Sequence, residues 1–291
     1  MSKTEQSSEI GFFDSPEGGY VQPPMFSAGE IEGLNEAPST FGKLAWKRFL
    51  HHRLALLGAI GLVLILALFI IGPMISPYTF DQRNIADRLQ GPSSDHWFGT
   101  DEIGRDLFVR TAQGGLYSFR IGFIAAIAAT AVGTLLGALA AYFGRWIDIA
   151  ISQIINMVLI VPALIVLSIF ALYFGRDATR LAIVLAALLW TRIARVVRGV
   201  VLSIKEQEYI MAARAAGASH MRIIFRHVLP NVIGPVAVEV TLLLGTVIVL
   251  ESTLSFLGLG VQPPNASLGT LVAEAKGSID DDPVRVLTPG F

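Results

Sequence analysis

The 291-residue sequence contains no cysteine. Thiol catalysis, disulfides and cysteine-based metal sites are therefore excluded, and redox chemistry says nothing about compartment. Charge is scarce as well. Only 15% of residues are charged, against about 25% in a soluble domain. With 53% hydrophobic residues and a mean hydropathy of +0.60, too little charge remains to wet a compact surface of this size. An ordinary soluble enzyme and a disordered chain are both excluded, and a polytopic membrane protein is indicated. The net charge of -1 supplies no dominant basic face, so nucleic acid is not an expected partner. A phosphate-cradling G-x-x-x-x-G-K-[ST] loop is missing: the only Gly-Lys pair, Gly42-Lys43, lacks the upstream glycine and is followed by Leu44. There is no room for a soluble ATPase domain either. His51, His52, His96, His220 and His227 lack metal-ligand spacing with supporting acids, so no metal site is expected. No Ser/His/Asp arrangement can be argued, and no cleavable signal peptide opens the chain.

What is present is a series of apolar runs behind a polar tail. Residues 1–40 carry Glu5, Glu9, Asp14, Glu17, Glu30, Glu32 and Glu36 against Lys3 alone, among Ser, Gly and Pro. Such a segment cannot bury enough apolar surface to offset its ordering entropy and is expected to be disordered. Residues 41–291 read as the membrane domain, with five candidate spans. They run from Leu54 to Ile71, Ile121 to Phe143, Ile147 to Phe174, Leu181 to about Ile193, and Val232 to about Leu259. The third is interrupted by Asp148, Asn156 and Pro162, and the fifth contains Glu239 and Glu251. Orientation follows from basic residues near the spans. Lys43, Lys47, Arg48 and Arg53 precede the first, which places the N-terminus in the cytoplasm. Arg145 marks an internal turn at Gly144–Trp146, and the basic segment from Arg192 to Arg226 is expected to be cytoplasmic. Arg176 and Arg180, around Asp177, break the bias on a short external loop.

The most informative stretch is Ser203 to Asn231, SIKEQEYIMAARAAGASHMRIIFRHVLPN. Ser203 and Glu206 fit a capping box. Glu208 to Ala216 is rich in helix formers, and Gly217 then acts as a stop. Ser219 can cap a second helix, which Pro230 ends or hands to the fifth span. The expectation is helix, glycine turn, helix, presented to the cytoplasm. Ala212, Ala213, Ala215, Ala216 and Ala218 let another surface approach closely, and Arg214, Arg222 and Arg226 offer charge to an acidic groove. Two readings fit these features equally: docking to a partner protein, or a basic hairpin lying on anionic lipid.

This stretch resembles the EAA loop of permease subunits of ATP-binding-cassette importers. Ala212, Ala213, Gly217, Leu229 and Pro230 match the pattern; Met211 stands in place of its Glu and His227 in place of its Ile. Glu208 lies one helical turn before Met211, a shifted form that resembles the peptide and nickel branch. Two further segments, HWFGTDEIGRDLFVRTAQGGLYSFRIG at 96–122 and ESTLSFLGLGVQPP at 251–264, resemble the C-type subunit of dipeptide and oligopeptide permeases. The resemblance covers roughly residues 43–275. It implies an all-α type I importer transmembrane domain of the MetI-like fold. The implied coupling loop, at about 203–231, comprises Glu208, Ala212, Ala213, Arg214, Gly217, Ala218 and Arg222. The implied partners are two ATP-binding-cassette ATPase domains carrying ATP and Mg, a second homologous permease and an external substrate-binding protein. A peptide substrate and membrane lipid complete the set. The chain itself would be non-catalytic, multi-pass and resident in a bacterial inner membrane.

Ionisable groups inside spans are costly and face protein or water. Asp148, Ser152 and Asn156 recur every four residues on one helix face. Asp148 is expected to snorkel to headgroups, and Asn156 to bond a neighbouring helix or line the path. Glu239, Thr246 and Thr253 share a seven-residue stripe, expected to face the translocation path or the partner permease, with Glu239 placed to meet a peptide ammonium. Arg192, Arg195 and Arg198 read as a positive-inside anchor, and Pro162 and Pro235 as sites where helices bend. The family's C-type subunit has six spans. No sixth apolar run follows Leu259, so either the chain is truncated before the last span, the favoured reading, or it is a five-span variant. The rival readings are a nickel or small-solute permease of the same family, an ion-coupled secondary transporter using Glu239 and Glu251, and a membrane scaffold.

Overall fold

Uncharged apolar runs in hydrocarbon must satisfy their backbone internally, and a helix does so within one segment. The computed structural model describes residues 49–290 apart from 175, 176, 264 and 281. Among these, every regular element is helical, beside one isolated bridge between Thr100 and Asp106. The expected tail at 1–40 and the basic residues Lys43, Lys47, Arg48 and Arg176 lie outside the described residues. The chain divides into two compact units, Met1–Ile60 and Gly61–Phe291. The described part of the first ends in the opening turns of helix α1; the second holds everything discussed below.

Helix α1 runs Arg53–Ile75, and the most apolar 18-residue window in it has no buried residue. Helix α2 runs Leu107–Phe143, 37 residues, or about 55 Å at 1.5 Å per residue. It therefore starts well before the apolar run expected at Ile121. Asp106 caps it, its Oδ1 accepting from the Val109 amide at 2.9 Å. The third run is not one straight span. Helices α3 (Arg145–Ile160) and α4 (Ala163–Phe174) meet at an angle of 80°, broken at Val161-Pro162, where proline denies the helix an amide. Helix α5 is Ala178–Ile204, capped by Asp177. The short α6 (Glu208–Ala215) and α7 (His220–Ile223) lead through a π turn at Ile224–Val228 into α8, Leu229–Phe256. Helix α9 (Leu268–Ala275) and helix α10 (Val284–Gly290) follow.

By length and apolarity, α1, α2 and the α7–α8 unit qualify as membrane spans among the described residues, and the bent α3–α4 pair adds a fourth if counted as one. Helix α5 is long enough but carries Arg180, Arg192, Arg195 and Arg198. It covers the fourth apolar run and packs along α2 as the central seam. The seam has a steric cause. A Cβ at Gly133 would lie 2.5 Å from the Trp190 carbonyl oxygen, and one at Gly137 would lie 2.5 Å from that of Ala194. Two glycines four residues apart thus let two helix backbones touch, the packing favoured where hydrophobicity supplies no drive between helices. Ile121, Leu167, Leu185, Ile193, Leu243 and Leu254 fill the core between α2, α4, α5 and α8.

Candidate coupling loop and the charged groups of the bundle

The ends of α2, α5 and α8 converge on the segment between α5 and α8, here called the loop end. Helix α5 continues through Ser203 to Ile204, so the expected Ser203–Glu206 capping box does not form. Packing along α2 carries the helix past its local stop signal. Lys205 closes it, its Nζ donating to the Ala141 carbonyl at 3.2 Å. Helix α6 starts instead at Glu208, after Gln207, with no side-chain cap.

Its C-terminus follows the sequence. Gly217 has φ +80°, a conformation that costs a side-chain-bearing residue roughly 1 kcal/mol. The Gly217 amide donates to the Arg214 carbonyl at 3.0 Å and the Ala218 amide to the Ala213 carbonyl at 3.0 Å. These two bonds are the Schellman pair that satisfies the orphan carbonyls of a helix end. Ser219 then caps α7, its Oγ accepting from the Arg222 amide at 3.4 Å. Pro230 does not end the helix. The chain widens into the π turn just before it, the Leu229 amide donating to the Ile224 carbonyl. The Asn231 side-chain amide donates to the His227 carbonyl at 2.6 Å. Pro230 therefore hands the helix to α8.

Within α6 only Ile210 is fully buried. Glu208, Ala212, Arg214, Gly217 and Arg222 are exposed, and Ala213 and Ala218 are half-buried. Tyr209, Met211, Met221 and Phe225 add exposed apolar surface beside them. The expected loop residues are thus largely accessible, small at Ala212, basic at Arg214 and Arg222 and acidic at Glu208. Sequence reasoning missed what ties this surface to the bundle. Tyr142, near the end of α2, places its hydroxyl 2.9 Å from His220 Nδ1, and the Arg214 guanidinium lies over the Tyr142 ring at 6.0 Å.

The charged groups inside the bundle differ from expectation. Asp148 does not snorkel: Arg198 Nε and an Arg198 terminal nitrogen donate to its two oxygens at 2.5 and 2.8 Å. This bidentate pair joins α3 to α5 and gives Arg198 a role besides anchoring. Ser152 donates to Asp148 at 3.3 Å, whereas Asn156, on the same face, is exposed and hydrogen-bonds no neighbouring helix among the described residues. Glu239 is met by Arg192, whose Nε donates to it at 3.2 Å. Further along α8, Thr246 and Thr253 return their hydroxyls to the Leu242 and Val249 carbonyls at 2.9 and 2.7 Å. Glu239, Thr246 and Thr253 are all half-buried.

The opposite end, the cap end, is tied by buried polar groups. Glu251 is fully buried and accepts from Ser118 at 2.8 Å and from Ser255 at 2.7 Å. Ser118 in turn accepts from the Leu268 amide at 3.2 Å, and Ser255 from the Val261 amide at 3.3 Å. One carboxylate thereby fastens α2, α8, the loop after α8 and the start of α9. Nearby, Arg110 reaches Asp101 at 2.6 Å and Glu274 at 2.8 Å. Burial raises the pKa of Asp101, but amides of Arg105 and Ile103 and the Arg105 guanidinium outweigh it and hold the carboxyl below its ordinary value.

A model of the family described as binding-protein-dependent transport system inner membrane component matches residues 133–279. A second, the N-terminal TM domain of oligopeptide transport permease C, matches residues 40–92. The chain belongs to the first family, the inner-membrane permeases of ATP-binding-cassette importers. Within it, the chain is similar to the C-type subunits. It is 38% identical over 247 residues to the dipeptide transport system permease protein DppC of Alkalihalophilus pseudofirmus, covering 85% of this chain and 81% of that protein. It is 35% identical over 271 residues to the oligopeptide transport system permease protein OppC of Bacillus subtilis, covering 93% and 89%. The inward-facing MetNI methionine ABC transporter contains a chain of the same fold, with TM-score 0.51 and 22% identity, covering 62% of this chain and 86% of that one. The MetI-like architecture expected from the resemblance is therefore present.

Proposed function

We propose that this chain is the permease subunit of an importer that moves peptides, driven by ATP hydrolysis on separate ATPase subunits. The observation that carries the reading is the exposed α6 surface, held out by the Gly217 turn at the end where α2, α5 and α8 converge. A cleft on an ATPase subunit would receive the exposed segment around Ala212, with Tyr209 and Met211 as apolar contacts, and acidic groups there would meet Arg214 and Arg222. Glu208, at the first turn of α6, complements the positive end of the helix dipole. ATP and Mg would be bound by the partner subunits. Closure of two ATPases would press on α6, and the rocking of two permease subunits would follow.

Relatives named as dipeptide and oligopeptide permeases support a peptide cargo. The cargo would arrive on an external binding protein and pass between this chain and a second permease. The α8 stripe of Glu239, Thr246 and Thr253 would line that passage, with Asn156 exposed on α3. The loop end and the N-terminus would face the cytoplasm and the cap end the outside. Family membership favours this reading over an ion-coupled carrier, which has no use for a docking loop.

The test is co-expression with candidate ATPases and a second permease, purification through a tag on this chain, and comparison of wild type with Gly217→Arg. The expected result is that the ATPases co-purify with wild type and are lost from the variant. Equal recovery, or no recovery with wild type, would remove the docking reading.

A further inference from the structure

Where α1 ends against the start of α2, the bundle holds a cavity of about 150 Å³, enough for one benzene-sized molecule. Its wall combines three aromatic residues, Tyr78, Trp97 and Phe108, with two carboxylates, Asp95 and Asp106, and none of the lining residues is basic. Asp106 and Phe108 are buried, whereas Asp95 and Trp97 are exposed, so the cavity has a closed side and an open one. Asp106 accepts from the Val109 amide through Oδ1 and meets His96 Nδ1 at 2.8 Å through Oδ2. A carboxylate offers about four lone-pair sites, so acceptor capacity remains for a ligand. This is the wall of a cation site. Aromatic rings and carboxylates both attract an ammonium group, whereas an anion would meet two negative charges and no positive one.

The position of the cavity selects the bearer of that cation. Helix α1 has 23 residues, about 34 Å at 1.5 Å per residue, which matches a hydrocarbon core of about 30 Å. Its whole length is needed to cross, so Ile75, its last residue, stands at the boundary with the headgroups. Ile75, Ser76 and Pro77 line the cavity. The last turn of α1 lies against α2 here, since a Cβ at Gly72 would be 3.2 Å from the Phe108 ring. Met74 and Ile75 are exposed, and the most apolar window of α1 has no buried residue. A ligand in the cavity therefore has carboxylates around its head and bare apolar helix beside it. A phospholipid whose headgroup ends in an ammonium has that form. Exposed Trp97 suits the same level, where amphipathic rings gather, and the lining hydroxyls of Ser76 and Ser94 are donors for the lipid phosphate.

We propose that this cavity binds the ethanolamine-type headgroup of a membrane phospholipid in the leaflet at the cap end. The lipid ammonium sits between Asp95 and Asp106, and the acyl chains run along the open side of α1. Helix α1 packs only sparsely on the rest of the bundle among the described residues, and the lipid fastens its end to α2.

The test places benzoyl-phenylalanine at Met74, which is exposed and outside the lining, or at Leu64, exposed midway along α1, as the reference. The full chain, with the subunits that co-purify with it, is reconstituted into vesicles of equal phosphatidylethanolamine and phosphatidylglycerol. After illumination its lipid adducts are identified by mass. The probe at Met74 is expected to capture the ethanolamine lipid about threefold or more above its share of the bilayer, and the probe at Leu64 in proportion to that share. The excess is expected to vanish when Asp95→Asn and Asp106→Asn are combined, and in vesicles whose ethanolamine nitrogen is acetylated. Asparagine caps a helix about as well as aspartate, so the double variant removes charge and keeps the start of α2. Adducts at Met74 in the bulk ratio, or an excess that survives either change, would overturn the site. So would an excess displaced by trialanine, which would assign the cavity to a peptide ammonium, or attachment to another subunit alone, which would make it a protein interface. The two probe positions are compared with all cavity residues intact, so misfolding of the double variant does not decide the outcome.

Discussion

The two ends of the bundle are built by opposite means. At the cap end, loops are fastened to helices by buried side chains: Glu251 gathers two serines, which gather two backbone amides. At the loop end, α6 is held by Ile210, by backbone capping at Gly217, and by the Tyr142–His220 contact. Even the glycines differ. Gly269 is required because a Cβ there would lie 2.2 Å from the Ser252 carbonyl oxygen, whereas Gly217 has nothing within 4 Å and is required by its positive φ. The cap end is thus built as part of the bundle, and the loop end as an accessible segment attached to it at few points.

The sharpest way to break the comparison is Glu251→Ala. It leaves the Ser118 and Ser255 hydroxyls without their buried acceptor, at a cost of about 3 kcal/mol. A melting temperature in detergent lowered by several degrees is expected, and an unchanged one would show that the cap end is not held this way. Gly269→Ala comes next, at about 2 kcal/mol from overpacking against backbone. Its counterpart Gly217→Ala costs only about 1 kcal/mol, from torsion alone. It is expected to leave the melting temperature nearly unchanged while reducing recovery of the ATPases. Tyr142→Phe removes one hydrogen bond, about 1 kcal/mol. Faster amide hydrogen exchange confined to residues 216–223 would be its signature.

The smallest effect is a pH dependence specific to the cap end. The Asp101 carboxyl is held below its ordinary value of 3.8 in the folded chain. Its contribution is therefore complete above 3.8 and is lost as pH falls through the lower folded value. Exchange protection at residues 99–106 is expected to be flat from neutral pH down to about 4 and to decline below it. A decline already at pH 6 would point to another group.

Much of this was legible in the sequence, and what was missed shares a cause. Apolar runs located the helices because a span must be apolar along its length, and Gly217 and Ser219 marked the turn because their conformational demands are local. The start of α2 at Leu107 was hidden, since residues 107–120 include Arg110, Arg120 and polar groups and become helical by packing on the cap. Ser203 and Glu206 formed a valid local signal that tertiary packing overrode. Asp148 finds Arg198 fifty residues away, and Glu251 finds Ser118 across 133 residues. Neither pairing leaves a trace in local spacing. The glycines at 133 and 137 did leave one, a four-residue repeat of small residues that foretells a close helix crossing.

The chain's lack of cysteine allows one direct test of the central claim, that α6 is the contact to the ATPase. Ala212→Cys, exposed at the middle of α6, would be the sole cysteine of this subunit in the assembled complex. A short bifunctional thiol reagent is expected to join it to an ATPase subunit, with the yield changing when ATP is added. A complex that transports but yields no such adduct, or one only with the second permease, would contradict it.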